Sequence, residues 1–113
     1  MVSRNSWTRE EFIYCLAFYA SLGEKQRRVP PKGLVAHLSL ATGRSEGSIK
    51  LRFANFNSVD PTFTSRGLVG MSGGGSAVVS IWHEFSDNEG ELDSSKLLKY
   101  LADGYFHLSV KGE

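Results

Sequence analysis

The segment from Leu34 to Phe56 restricts the fold more than any other, because it has the pattern of two helices joined at a glycine. In the first of these helices, apolar residues recur at the spacing of one helix face: Leu34, Val35, Leu38 and Ala41. Gly43 then stands where the end of a helix favours the left-handed backbone conformation, which glycine adopts without steric cost. The first helix is therefore predicted to end there.

The second helix is predicted to begin after Ser45, whose side-chain oxygen can accept a hydrogen bond from a free amide of the first turn. Its buried stripe would comprise Ile49, Phe53 and Phe56, with Leu51 on the opposite side towards solvent. Such a pair is typical of a helix-turn-helix, in which the second helix reads DNA. It is equally typical of a plain packing corner in a helical protein, so both interpretations stay open.

Caps and apolar stripes elsewhere predict a mainly α fold, a compact helical domain that contains the helix-turn-helix-like pair. Thr8 and Glu11 form a capping box, Ser76 is a candidate N-cap and Gly104 a candidate helix end. Helices are expected near residues 9–22, 31–42, 45–56, 77–85 and 94–103, with little strand. The expected core comprises Trp7, Leu16, Leu38, Ile49, Phe53 and Trp82. The apolar face of the last helix would comprise Leu97, Leu98 and Leu101.

The segments between the helices differ in character. GEKQRRVPPKG is predicted to be a basic loop, and NSVDPTFTSRGLVG an ordered irregular loop. GMSGGGS lacks the lysine of a phosphate-binding loop, so no nucleotide site is expected. SDNEGELDSS is an acidic linker, which suggests a helical DNA-binding module in residues 1–85. Residues 86–113 would then be this linker and a C-terminal helix or tail packed on the module, the tail being a short strand or an extension.

Composition is that of one ordinary globular domain, since 41% of the 113 residues are hydrophobic and 22% are charged. The net charge of +1 hides an asymmetry: residues 1–70 carry ten Lys or Arg against five Asp or Glu, and residues 71–113 carry three against seven. A basic first half fits a face that meets polyphosphate, although two solvated faces would look the same. The single Cys15 excludes an internal disulfide and favours the cytoplasm, and no stretch suggests a membrane span.

No pattern of catalytic chemistry is present. His37, His83 and His107 are scattered singly and Cys15 lies in an apolar stripe, so zinc ligand spacing is absent. No acidic cluster stands beside a Lys or His in the manner of a nuclease metal site. No catalytic residue, metal or cofactor is therefore expected in this chain.

Four motifs, taken in order, resemble the N-terminal region of bacterial HNH-type restriction endonucleases. They are SWTREEF near the start, GRSEGSIKLR at the glycine turn, NFNSVDP with RGLVG after it, and IWHEF, and together they cover about residues 6–85. In that family the module precedes a His-Asn-His nuclease, and several relatives are thought to act on modified DNA. The resemblance implies a module that holds or recognises DNA, and no nuclease motif occurs here. Its matching polar positions are Arg44, Ser45, Ser48, Arg52, Asn55, Asn57 and Arg66.

The candidate DNA-binding residues fall into two groups. Cations of the basic loop would hold phosphates, unless that loop is merely a solvated linker, and polar residues of the second helix would touch base edges. The full set is Lys25, Arg27, Arg28, Lys32, Arg44, Ser45, Ser48, Lys50, Arg52, Asn55, Asn57 and Arg66.

Two functions of different classes follow from these observations. The leading one is binding to double-stranded DNA, with recognition of a modified base as a narrower hypothesis in which Leu51 contacts a 5-methyl group. A nuclease domain or subunit would then be a partner. The alternative is a non-enzymatic protein-interaction adaptor or regulatory subunit, which would use exposed apolar side chains. Salt discriminates them, because phosphate contacts weaken steeply as salt rises.

Overall fold

Seven helices make up the regular structure in the computed structural model, which describes residues 6–68 and 75–111, and side chains as far as Ala102. They are α1 (Arg9–Ser21), α2 (Glu24–Arg28), α3 (Lys32–Thr42), α4 (Glu46–Asn57), α5 (Pro61–Thr64), α6 (Gly75–Glu84) and α7 (Ser94–Lys111). Among these residues the only β-pairing is an isolated bridge between Ser86 and Leu92. The predicted mainly α fold is confirmed, and the radius of gyration of 13.5 Å is that of a compact body of this length.

The local signals that begin α1 and α4 and that end α3 act as predicted. The Thr8 side chain accepts from the Glu11 amide and the Glu11 side chain accepts from the Thr8 amide, which completes the capping box of α1. Gly43 ends α3 in the left-handed conformation with φ of 74°, where a side chain would be strained. Ser45 caps α4, and Asp93 accepts from the Ser95 amide at the start of α7.

The core lies where α1, α4 and α6 meet, with α3 and α7 packed around them. The predicted stripe of α4 is buried, and so are the apolar residues of α1 that recur at helical spacing, Phe12, Cys15, Leu16 and Tyr19. Phe53 and Phe56 both stack edge-on against Tyr19. α6 adds Val78, Ile81 and Trp82, which are also buried. Trp7 is half-buried and packs against Phe12 with 5.5 Å between ring centroids. The expected core is therefore confirmed, with Trp7 at its edge.

Two short helices replace segments that were predicted to be loops. The basic segment forms α2, since its residues EKQRR are all favourable in a helix and only the following Val-Pro-Pro stops it. The second segment contains α5, because Asp60 accepts from the Thr62 amide and Pro61 suits the first position of a helix. Both helices are too short to show a periodic apolar stripe, which is why the sequence pattern missed them.

The last two helices also depart from their predicted bounds. α6 begins at Gly75, so Ser76 lies inside the helix and is not its N-cap. α7 continues through Gly104 to Lys111, so the tail is helical and the expected stop was wrong. Of the predicted apolar face of α7, Leu97 is buried and Leu101 is partly buried against the core, whereas Leu98 is 66% exposed. No helix in the described residues combines the length and the apolar composition that crossing a bilayer requires.

The acidic segment between α6 and α7 is an ordered loop that folds back on α6. The side chain of Asp87 accepts from the amides of Glu89 and Glu91, and the Trp82 indole donates to the Gly90 carbonyl at 2.8 Å. α7 then packs against α1 and α3. Most of the glycine-rich run before α6 belongs to residues 69–74, which lie outside the described residues.

Cys15 is expected to be unreactive in the folded protein. Cys15 lies on α1, and its side chain is fully buried in the core. Burial raises the pKa of the thiol to about 12, and the nearby charge of Glu11 makes a smaller contribution. The native protein should therefore react with an aromatic disulfide reagent at least about a thousandfold more slowly than the protein unfolded in guanidinium. Stopped-flow absorbance at pH 8 would measure both rates, and similar rates would mean that Cys15 is accessible.

Candidate nucleic-acid interface

The turn between α3 and α4 is held by a compact set of hydrogen bonds. The Thr42 hydroxyl donates to the Leu38 carbonyl at 2.7 Å and accepts from the Arg44 amide at 3.1 Å. The Ser39 hydroxyl donates to the Arg44 carbonyl at 2.5 Å. Because α3 also packs directly against α4, the two helices and the turn form one rigid corner that is compatible with a helix-turn-helix.

The outward side of α4 is open to solvent over its first half. Ser45, Glu46, Gly47, Lys50 and Leu51 are all exposed, and Leu51 shows 47% of its surface. Within the helix, positions 47, 50, 51 and 54 share one face at three- and four-residue spacing. The face opposite the core is therefore the part of α4 that an external ligand can reach.

Arg44, a candidate base-reading residue, points into the protein instead. Its guanidinium donates to Glu11 Oε1 at 2.9 Å and to the Ser6 carbonyl, and its side chain is only 9% exposed. Glu11 Oε1 is the same oxygen that accepts from the Thr8 amide in the capping box. One carboxylate thus fixes both the start of α1 and the turn before α4, so any contact of Arg44 with DNA would require this ion pair to break.

Arg52 and Asn55 likewise contact the protein rather than solvent. The Arg52 guanidinium lies 4.6 Å from the ring centroid of Trp7 and 4.7 Å from that of Phe12, and its Nη1 donates to Asn55 Oδ1 at 3.0 Å. Asn55 is only 3% exposed, whereas a base-reading role needs it at the surface. Burial lowers the pKa of Arg52, and its Nε has no partner among the described residues.

A buried polar network surrounds Asp60 and uses two more of the candidates. Asp60 Oδ2 accepts from the Tyr19 hydroxyl at 2.7 Å and from Arg27 Nη1 at 3.0 Å. Asn57 Nδ2 donates to the Tyr19 oxygen and to the Arg27 carbonyl. Burial raises the pKa of Tyr19, so its phenol keeps the proton that it donates. Arg27 and Asn57 therefore join α1, α2, α4 and α5.

The remaining candidates lie at the surface. Ser45 and Ser48 bond to each other as the cap of α4. Arg28 and Arg66 both lie over the ring of Phe63, at 5.0 and 5.9 Å from its centroid. The three lysines Lys25, Lys32 and Lys50 are exposed, and their side chains form no hydrogen bond or ion pair with a described residue. The proposed phosphate contacts thus remain available mainly on these lysines.

Sequence reasoning did not identify Glu11 and Asp60 as the anchors of the arginines. The sequence around Asp60 is typical of a turn, and Glu11 stands in a capping box. In the structure Asp60 caps α5, and Glu11 completes the capping box of α1. Glu11 pairs with a residue 33 positions away, and so does Asp60. Separation of this size leaves no local pattern, so no signal in one sequence could have revealed either pair.

The described residues hold no group of three or more His, Cys, Asp or Glu that could bind a metal. Comparison of the chain with protein-family models, with curated proteins and with solved structures finds no significant match. The function of the α3–α4 corner and of its exposed lysines therefore follows only from the chemistry of these residues.

Proposed function

We propose that this protein binds double-stranded DNA and that the outward face of α4 enters the major groove. The observation that carries the proposal is the exposed first half of α4, which follows a rigid turn and has α3 packed behind it. In helix-turn-helix proteins the second helix uses its N-terminal residues to contact base edges. On α4 these residues are Gly47, Lys50 and Leu51, with Ser45 and Ser48 near the phosphates.

Phosphate contacts would come from lysines that no carboxylate of the described chain neutralises. Lys50 lies on the outward face itself, and Lys32 begins the helix that packs behind α4. The arginines act differently in this proposal. Arg44 and Arg52 hold α4 against α1 through Glu11, Trp7 and Phe12, so they set the position of the reading helix without touching DNA.

Recognition of a modified base is the narrower part of the proposal. Leu51 is an exposed apolar side chain on the outward face, and apolar contact is how a protein reads a methyl group in the major groove. The resemblance to the HNH-type endonuclease module supports the recognition of a modified base. It adds a nuclease domain or subunit as the partner, and the single Cys15 favours a cytoplasmic location.

Fluorescence anisotropy with matched duplexes tests the proposal. The duplexes carry unmodified, 5-methyl or 5-hydroxymethyl cytosine, and binding is measured over a range of salt. Two phosphate contacts, from Lys32 and Lys50, correspond to a loss of affinity of roughly twelvefold for a fourfold rise in salt. Lys32→Ala and Lys50→Ala should each reduce the salt slope by about one unit, whereas Lys99→Ala on α7 should leave it unchanged.

The methyl contact has its own variant in the same assay. Leu51→Ala should reduce discrimination between methylated and unmodified duplexes, at a cost of about 1 kcal/mol on the preferred duplex. The DNA-binding proposal fails if no duplex binds in a salt-dependent manner. It also fails if Lys99→Ala lowers the slope as much as Lys50→Ala does, because the attraction would then be diffuse rather than directed by α4.

The alternative function, a protein-interaction adaptor, is favoured by the large apolar side chains left at the surface. Leu40 on α3 is 86% exposed and Val29 after α2 is 75% exposed. The aromatic residues are not part of such a surface, since Tyr19, Phe53 and Trp82 are buried. A protein that serves only as an adaptor should show no directed, salt-dependent binding to any of the duplexes, so the anisotropy experiment separates the two functions.

A further inference from the structure

A groove lies between α2 and the segment that follows α5, away from the outward face of α4. Its cavity volume of about 530 Å3 falls within the range of ligand-binding clefts. Nothing in the described chain fills it. The groove has an apolar lining and a charged rim, and these two properties together indicate what it would bind.

Two of the lining side chains are apolar and exposed. Val29 follows α2 and is 75% exposed, and Leu68 lies on the other side with 41% exposed. Beneath them Phe63 is fully buried, because the guanidinium groups of Arg28 and Arg66 cover its ring. A ligand would therefore meet two aliphatic side chains and the edges of two arginines, with no open aromatic face.

The rim of the groove is positively charged. Lys25, Arg28 and Arg66 line it together with a single carboxylate, that of Glu24, which leaves an excess of two positive charges. Glu24 is already paired with Arg66 at 2.5 Å, and this exposed pair connects the two sides of the groove. Lys25 has no partner among the described residues, so its ammonium is available to a ligand.

We propose that this groove binds an acidic peptide segment of a partner protein, one that carries a large apolar side chain beside its carboxylates. The apolar side chain would pack on Val29 and Leu68, and the carboxylates would meet Lys25 and the exposed side of Arg28. Charge complementarity of this kind selects the partner and speeds its association. The site is separate from α4, so the inference goes beyond DNA binding and does not rest on it.

The geometry disfavours the other classes of ligand. A small molecule is usually enclosed on most of its surface, whereas the apolar side chains of this groove, Val29 and Leu68, are themselves exposed to solvent. A single-stranded nucleic acid binds by stacking its bases on aromatic rings, and the only aromatic ring in the lining, Phe63, is fully covered. A peptide chain can lie along an open groove and insert one side chain.

Peptide arrays test the proposal with probes of defined composition. Three sets alternate Leu or Phe with Asp and Glu, with Asn and Gln, or with Lys and Arg, and a single-stranded oligonucleotide is included as a competitor. The acidic set should bind, and its affinity measured by fluorescence anisotropy should exceed that of the basic set at least about tenfold. Chemical-shift mapping of the intact chain should place the perturbed amides on α2 and after α5.

Matched variants locate the binding. Val29→Ser should weaken the best acidic peptide about fivefold or more, and Lys25→Glu about tenfold, because the first removes the apolar contact and the second repels carboxylates. Leu98→Ser is the control, an equally exposed aliphatic residue on α7 that should have no effect. Circular dichroism confirms that each variant is folded.

Several results would overturn the proposal. It fails if none of the peptide sets binds, if the basic set binds as well as the acidic set, or if Val29→Ser and Leu98→Ser behave alike. Displacement of the acidic peptide by the oligonucleotide, with shifts at α2, would assign the groove to nucleic acid instead. Lys50→Ala should leave peptide binding unchanged, so failure here is distinguishable from failure of DNA binding by α4.

Discussion

Asp60→Ala should lower the free energy of unfolding by about 3 to 5 kcal/mol, the range expected when one partner of a buried ion pair is removed. Asp60 is completely buried and accepts from both Tyr19 and Arg27. The variant would leave the Arg27 guanidinium, whose side chain is only 15% exposed, without its counter-charge. It would also remove the cap of α5, so α1, α2 and α5 lose a common anchor.

Denaturant unfolding followed by circular dichroism measures this effect. Asp60→Asn should lose less stability, since it keeps an acceptor for the Thr62 amide. Glu24→Gln serves as the control because its ion pair with Arg66 is exposed, and such pairs contribute less than about 1 kcal/mol. Equal losses in the free energy of unfolding for Asp60→Ala and Glu24→Gln would show that the buried network around Asp60 contributes no more to stability than an exposed ion pair.

The parts of the fold that could be predicted are those whose cause is local. The Thr8 capping box, the left-handed Gly43 and the Ser45 cap each act within one helical turn, and all three are present in the structure. The stripe of α4 was also predictable, because burial against a core imposes the helical period on the sequence. α2 and α5 were missed, since helices of five and four residues complete too few turns to show that period.

The candidate site was less predictable because an arginine near a turn has the same sequence signature whether it faces DNA or an internal carboxylate. Arg44 and Arg27 are both drawn inward by acids 33 positions away. Asn57 is buried because it follows Phe53 by four positions on the core side of α4, and Asn55 is buried where its Oδ1 accepts from Arg52 Nη1. The lysines kept the exposure that was expected of them, in line with the high cost of burying an ammonium without a partner, and so did Arg28, Ser45 and Arg66.

Loss of DNA binding has a different meaning in an arginine variant than in a lysine variant, because Arg44 is held by Glu11 whereas Lys50 has no carboxylate partner in the described chain. Arg44→Ala would remove an ion pair to Glu11 that fixes the start of α1, so weaker binding could arise from a displaced α4 alone. Lys50→Ala removes no hydrogen bond or ion pair within the described chain, and its effect on binding reports on the ligand directly. Lysine variants are therefore the informative ones at this surface, and arginine variants need a stability measurement beside them.

Phe53→Ala should lower the free energy of unfolding by about 3 to 5 kcal/mol through lost burial and the cavity that remains. Phe53 is only 1% exposed, and its ring centroid lies 5.5 Å from that of Tyr19 and 6.0 Å from that of Phe56. The cavity would open where α4 packs on α1, so the outward face of α4 should lose its fixed position as well. DNA affinity is expected to fall together with stability.

Leu51→Ala on the same helix is the matched control, because this side chain is 47% exposed and its loss should change stability by no more than about 0.5 kcal/mol. Both variants would be unfolded in denaturant, and the midpoints and slopes compared with those of the parent protein. A Phe53→Ala protein as stable as Leu51→Ala would mean that the helix turns its other side to the core. The face assigned to DNA would then be the buried one, and the proposed reading surface would have to be abandoned with it.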